Sequence, residues 1–101
     1  MEAKMNPFKG KAATSVLDLS DKNGKKTGVQ YHDTIVVEFT DDTIKLNSGG
    51  WRTATTKLRM NQVSDQYDLG FRVYQKYDSW WVEPKNGGAK MPYIDNMTIK
   101  R

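Results

Sequence analysis

Thr34-Ile35-Val36-Val37-Glu38-Phe39-Thr40, then Asp41-Asp42, then Thr43-Ile44-Lys45-Leu46-Asn47, is the stretch that decides the fold. Its first part is β-branched and aromatic, its last part alternates apolar with polar, and two acids divide them, which reads as strand, turn, antiparallel strand. Successive strand residues face opposite ways. The pattern therefore predicts Ile35, Val37 and Phe39 on the core side, with Val36 and Glu38 opposite, and puts Ile44 and Leu46 together on one face of the partner strand. Asp41-Asp42 is read as the hairpin tip rather than as a metal-binding or acid/base pair.

Upstream, Ser15-Val16-Leu17-Asp18-Leu19 alternates, and Asn23-Gly24 supplies a pair that tolerates positive φ before Gly28-Val29-Gln30-Tyr31 returns. This is a first hairpin. Residues 1–13 mix Lys, Gly, Ala and Pro without periodicity and are expected to form a flexible basic arm, leaving 14–101 as a single domain.

Downstream, Ser48-Gly49-Gly50 interrupts the pattern. The segment from Trp51 to about Asp68 lacks Gly and Pro and carries apolar residues at Ala54, Leu58, Met60, Val63 and Tyr67, so a helix is expected there. Thr53 or Thr55 is its N-cap and Leu69-Gly70 marks its end. Phe71-Arg72-Val73-Tyr74-Gln75-Lys76, a tight turn at Tyr77-Asp78, and Ser79-Trp80-Trp81-Val82-Glu83 make an aromatic hairpin. Residues 84–90 are read as loop and Met97-Thr98-Ile99-Lys100 as a last short strand. The fold class is α+β: an antiparallel β-sheet of about five to seven strands packed against one α-helix. Phe39 and Leu58 are expected in the core.

Bulk properties narrow the function. The 101 residues include no Cys, which removes disulfides and thiolate metal sites and fits a reducing compartment, with the cytosol as the default expectation. No stretch approaches the length of a membrane span, and MEAKMNPFKGK lacks the apolar core of a signal peptide. The formal net charge of +4 favours polyanions or acidic protein surfaces.

Catalysis finds little support. His32 is the only histidine, its neighbour Asp33 points the other way in an extended chain, and no Cys nucleophile exists, so the protein is expected not to be an enzyme and to need no cofactor or metal. Gly49-Gly50 before a helix lacks the remainder of any phosphate-loop fingerprint.

The richest segment is Gly49-Gly50-Trp51-Arg52-Thr53-Ala54-Thr55-Thr56-Lys57-Leu58-Arg59-Met60-Asn61-Gln62, with three cations and no acid. At a helix start Arg52, Lys57, Arg59 and the hydroxyls of Thr55 and Thr56 can meet phosphates, while Asn61 and Gln62 can read base edges. The competing account is a solvated helix face capped by Thr, with Trp51 as a core anchor. On the aromatic hairpin Arg72, Tyr74 and Lys76 share a face that suits stacking of unpaired bases, and of Trp80 and Trp81 one belongs in the core and one nearer solvent.

The run from Leu46 to Gln62, together with Leu69-Gly70-Phe71-Arg72-Val73-Tyr74-Gln75-Lys76 and Trp80-Trp81-Val82, resembles a group of small uncharacterised bacteriophage proteins. The resemblance covers about half of the chain and implies no particular activity. It leaves two expectations for a phage protein: non-catalytic binding of nucleic acid through the basic helix start, or inhibition of a host or defence protein such as a nuclease or CRISPR effector. A strongly acidic DNA mimic is excluded by the basic charge.

Overall fold

The computed structural model describes residues 14–85 and 87–101, and the expected arm over 1–13 lies outside them. Among the described residues one helix and eight strands divide between two antiparallel sheets. β1 (Thr14–Asp18), β2 (Thr27–Tyr31), β3 (Thr34–Phe39) and β4 (Thr43–Leu46) form a meander, and β8 (Met97–Lys100) returns to pair with β4, giving the order β1-β2-β3-β4-β8. The second sheet has the order β5-β6-β7, from β5 (Phe71–Lys76), β6 (Ser79–Pro84) and the two-residue β7 (Met91–Pro92). The α+β class and the single helix agree with the sequence. The division into two sheets, and β7 in the stretch between the expected loop over 84–90 and the last strand, do not follow from it.

Why β3 departs from simple alternation is visible in its register. Val29 faces Val37 but Gln30 faces Ile35, so Val36 is an extra residue on β3, a bulge. The bulge turns both Val36 and Val37 inward, at 1% and 0% exposure, and corrects the expectation that Val36 lies on the outer side. Ile44 and Leu46 share the buried face as expected, while Phe39 is only partly buried, packed against the core and 4.9 Å from the Tyr67 ring.

The helix α1 spans Ala54–Gln66, three residues later at its start than expected. Thr53 is the N-cap, its hydroxyl accepting from the Thr56 N–H at 3.2 Å. At the other end the Leu69 N–H donates to the Ser64 carbonyl at 2.9 Å, the closing bond of a Schellman motif, and Asp68, at φ 54, takes the left-handed position that Gly usually holds. No acid stands in the first turn and no base in the last, so charges do not favour the helix dipole and tertiary packing must hold α1 in place.

That packing uses Thr56, Arg59, Met60, Val63 and Ser64, not Leu58, which is half exposed. At about 100° per residue Leu58 lies close to Ala54 and more than about 120° from both Met60 and Val63. The apolar residues of the helix therefore do not form one stripe, and the expected core position for Leu58 is corrected. Met60 and Val63 join Val29, Val36, Val37, Ile44 and Leu46 of the first sheet to Phe71, Val73 and Val82 of the second in one core.

Candidate functional site

The helix start draws together residues remote in sequence. Ser48 is buried, and both its N–H and its hydroxyl donate to the same Asp95 oxygen, at 3.0 and 2.7 Å. The Tyr93 hydroxyl also donates to that oxygen at 2.7 Å. Tyr93 stands edge-on to Trp80 at 5.3 Å, and the Arg52 guanidinium lies 5.2 Å from the Tyr93 ring centre and 6.0 Å from that of Trp80. The Lys57 ammonium reaches the same indole at 5.7 Å and donates to Gln75. Two of the three cations thus converge as the helix-start reading requires.

They converge, however, on aromatic faces and an acid that the helix segment itself lacks. Burial pushes the Asp95 carboxyl up, but the donors from Ser48 and Tyr93 and the Arg52 charge outweigh it and hold it below the ordinary value of 3.8. Tyr93 is pushed well above the ordinary phenol value of 10.0, by burial first and then by its bond to Asp95. Nothing in the sequence signals this meeting of Ser48 and Asp95, which lie 47 positions apart.

Gly49 has a packing role: a Cβ there would meet the Thr34 side chain at 2.2 Å, and its φ is +65. Trp51 is not a core anchor. It is 71% exposed.

The remaining helix residues are turned inward or occupied. Arg59 is 7% exposed, donates to Thr14 at 2.9 Å and to Gln62 at 3.0 Å, and lies 5.5 Å from the Tyr31 ring centre. Gln62 is thereby engaged as an acceptor. Asn61 donates to the Val73 carbonyl at 2.8 Å and accepts from the Val73 N–H at 2.7 Å, while Ser64 makes the same two-way contact with Phe71 at 2.7 and 3.0 Å. These side chains, three positions apart on α1, satisfy the open edge of β5 in place of a further strand. The amide expected to read a base edge reads a strand edge. Thr56 is buried and hydrogen-bonded to Thr53, and of the hydroxyls proposed for phosphate only Thr55 is exposed.

On the second sheet Phe71 and Val73 of β5 and Trp80 and Val82 of β6 are buried, so their alternates face away from the core. Tyr74 stands opposite Trp81, Arg72 opposite Glu83, and Lys76 opposite Ser79. Arg72 and Lys76 are exposed while Tyr74 and Trp81 are half-buried. Trp80 is thus the core member of the Trp pair and Trp81 the outer one, as alternation requires.

Tyr77 and Asp78 are the two turn residues, both at positive φ (54 and 61), the signature of a type I′ turn. Among the described residues the ion pairs are Lys26–Glu38 at 3.4 Å and Lys85–Asp65 at 2.6 Å, and Arg72 is in neither.

Among the described residues no three His, Cys, Asp or Glu side chains group to hold a metal, and no helix is long and apolar enough to cross a membrane. No curated protein and no solved structure matches the chain. A family model described as Kyanoviridae Gp96 protein matches residues 2–100, so the chain belongs to that bacteriophage protein family, in keeping with the resemblance carried by its central segment.

Proposed function

We propose that this phage protein acts in the host cytoplasm as a non-catalytic binder of unpaired nucleic acid, and that the outer face of β5 and β6 is its contact surface. The observation that carries this reading is the cross-strand pair Tyr74 and Trp81, flanked on the same face by exposed Arg72 and Lys76. Aromatic rings accept the faces of successive bases without regard to sequence, and flanking cations meet the phosphates between them. The helix start serves less well, because Arg59, Asn61 and Gln62 are engaged inside the protein and Arg52 stands beside Asp95.

Anisotropy titrations with single-stranded and duplex oligonucleotides at several salt concentrations test it. Changing Arg72 and Lys76 to Gln should flatten the salt dependence by up to about 0.7 log unit per lost contact on a single strand. Truncating Tyr74 and Trp81 to Ala should weaken binding by about 1–3 kcal/mol per base displaced. Arg52→Gln with Lys57→Gln should do less. Absence of binding by the parent at low salt would retire the proposal.

A second reading, docking on a host or defence protein as an inhibitor, is favoured by the exposure of Trp51 and of Ile94, at 71% and 64%. A pull-down from host lysate separates the two. Capture abolished by nuclease belongs to nucleic acid, and a stoichiometric protein that survives nuclease belongs to the inhibitor.

A further inference from the structure

Away from the outer sheet face, a pocket of about 370 Å³ opens between the β2–β3 turn and the start of α1. Trp51, Tyr31 and the His32 imidazole, 4.3 Å from the Tyr31 ring, supply its aromatic surface, and Asp33, Thr34, Ser48 and Thr56 its remaining polar groups. The polar groups are not equivalent. Ser48 donates to Asp95 and accepts from the Gly50 N–H, and Thr56 is bonded to Thr53, so both hydroxyls have partners inside the protein. Asp33, in contrast, has no hydrogen bond or ion pair among the described residues, and neither does the Thr34 side chain. Beside the imidazole, the pocket therefore offers a flat exposed indole, a carboxylate that can only accept, and a hydroxyl that can donate.

Two ligand types suit an indole beside a carboxylate: a cation and a planar heterocycle with N–H donors. The surrounding charge decides between them. Arg59 is buried against Tyr31, one wall of the pocket, without a carboxylate within ion-pair distance among the described residues. A second cation placed in the pocket would be repelled across that ring, whereas a neutral heterocycle would not.

Among the common bases, guanine alone presents two adjacent donors, N1–H and the N2 amino group, to one carboxylate. Adenine and cytosine set a ring-nitrogen lone pair beside their amino group, and uracil flanks its one N–H with two carbonyls, so each directs an acceptor at the acid.

We propose that this pocket is a guanine-selective base site, with Trp51 stacking on the ring, Asp33 accepting from N1–H and N2–H, and the Thr34 hydroxyl available to the O6 carbonyl. The site stands on different residues from the outer sheet face and does not depend on that face binding nucleic acid.

Titration calorimetry with the full chain, using guanosine 5′-monophosphate, adenosine 5′-monophosphate and N-acetylarginine amide as separate probes, tests the assignment. The guanine nucleotide should bind at least about tenfold more tightly than the adenine nucleotide, the discrimination ordinarily given by one two-bond contact. Asp33→Asn, a conservative change at an exposed turn position, should erase that preference, and Trp51→Ala should weaken both nucleotides. Unaltered far-UV circular dichroism and melting establish that the variants fold.

Tyr74→Ala with Trp81→Ala removes only sequence-tolerant stacking and should leave the preference for the guanine over the adenine nucleotide unchanged, which separates failure of this site from failure of the sheet face. Equal affinity for the two nucleotides, preference that survives Asp33→Asn, tighter binding of the arginine amide, or no saturable heat with any probe would each overturn the proposal.

Discussion

The two flanks of α1 solve the same problem by opposite chemistry. Toward β5 the helix presents Asn61 and Ser64, neutral side chains that each complete a donor and an acceptor on the strand backbone. Toward β1 and β2 it presents Arg59, a buried cation held by the Thr14 and Gln62 oxygens and the Tyr31 ring, with no acid in ion-pair distance among the described residues. The neutral flank closes a strand edge that would otherwise be left with unpaired N–H and C=O groups. The charged flank carries a desolvation cost that its hydrogen bonds only offset. The first is therefore expected to hold the two sheets together and the second to be replaceable.

Breaking both flanks at once should have the largest effect. Met60 is fully buried between them, and Met60→Ala should destabilise the domain by about 2–5 kcal/mol in denaturant melts. A loss below that range would mean that the sheets pack on each other without the helix.

The comparison itself is tested by one change on each side. Asn61→Ala strips the Val73 N–H and carbonyl of their partners and should cost about 1–3 kcal/mol, the ordinary penalty for buried polar groups left unsatisfied. Arg59→Met keeps a long apolar stem and removes the buried charge, and should cost less than Asn61→Ala, within about 1 kcal/mol of the parent. The reverse order, measured by the same melts, would show that the Arg59 contacts carry net stability.

Much of this architecture was legible in the sequence, and the exceptions share a cause. Strand positions and turns followed from alternation and turn residues: Asp41-Asp42 is a tip, closed by the Thr40 hydroxyl accepting from Asp42 and Thr43 N–H groups, and Tyr77-Asp78 is the tight turn. Alternation puts one of Trp80 and Trp81 in the core without saying which, and the fold makes it Trp80. What alternation cannot show is an inserted residue, so it puts Val36 on the wrong face. Nor can composition tell a side chain that will reach a ligand from one that will reach another strand. Asn61, Gln62 and Arg59 have the residue types of a recognition surface and are engaged within the fold, because β5 leaves an edge to be covered and Arg59 points to the buried side of the helix. Asp95, the acid that meets the helix start, enters from the opposite end of the chain.

A smaller and conditional effect should come from that acid. The Asp95 carboxyl is held below 3.8, so its contribution to stability is present above that pH and is lost as pH falls through the depressed folded value. Tyr93 is displaced upward, so its contribution is present below pH 10.0 and is lost as pH rises beyond it. Stability measured against pH should therefore fall at both extremes. Asp95→Asn should shallow the acid limb, and Tyr93→Phe should shallow the alkaline one. Asn61→Ala, on the neutral flank, should lower the whole curve without altering its shape. An acid limb unchanged in Asp95→Asn would assign it to other carboxylates.

The smallest effect is expected where sequence patterning alone would place a large one. Leu58 falls in a run of helical apolar residues and would, if buried, cost about 2–5 kcal/mol on truncation. It is half exposed on the side of α1 that touches neither flank, near Ala54 and exposed Asp65 around the axis. Truncation there removes little buried area and leaves no cavity, and Ala is the better helix former, so Leu58→Ala should lie within about 0.5 kcal/mol of the parent. Leu58→Lys, which no buried position would accept, should fold as well. If either substitution unfolded the domain, α1 would have to be rotated about its axis, and the division of labour between Asn61 and Arg59 would fall with it, because the same rotation sets which residue meets which sheet. If both are tolerated while Met60→Ala is not, the axial orientation of the helix is fixed by two residues only two positions apart.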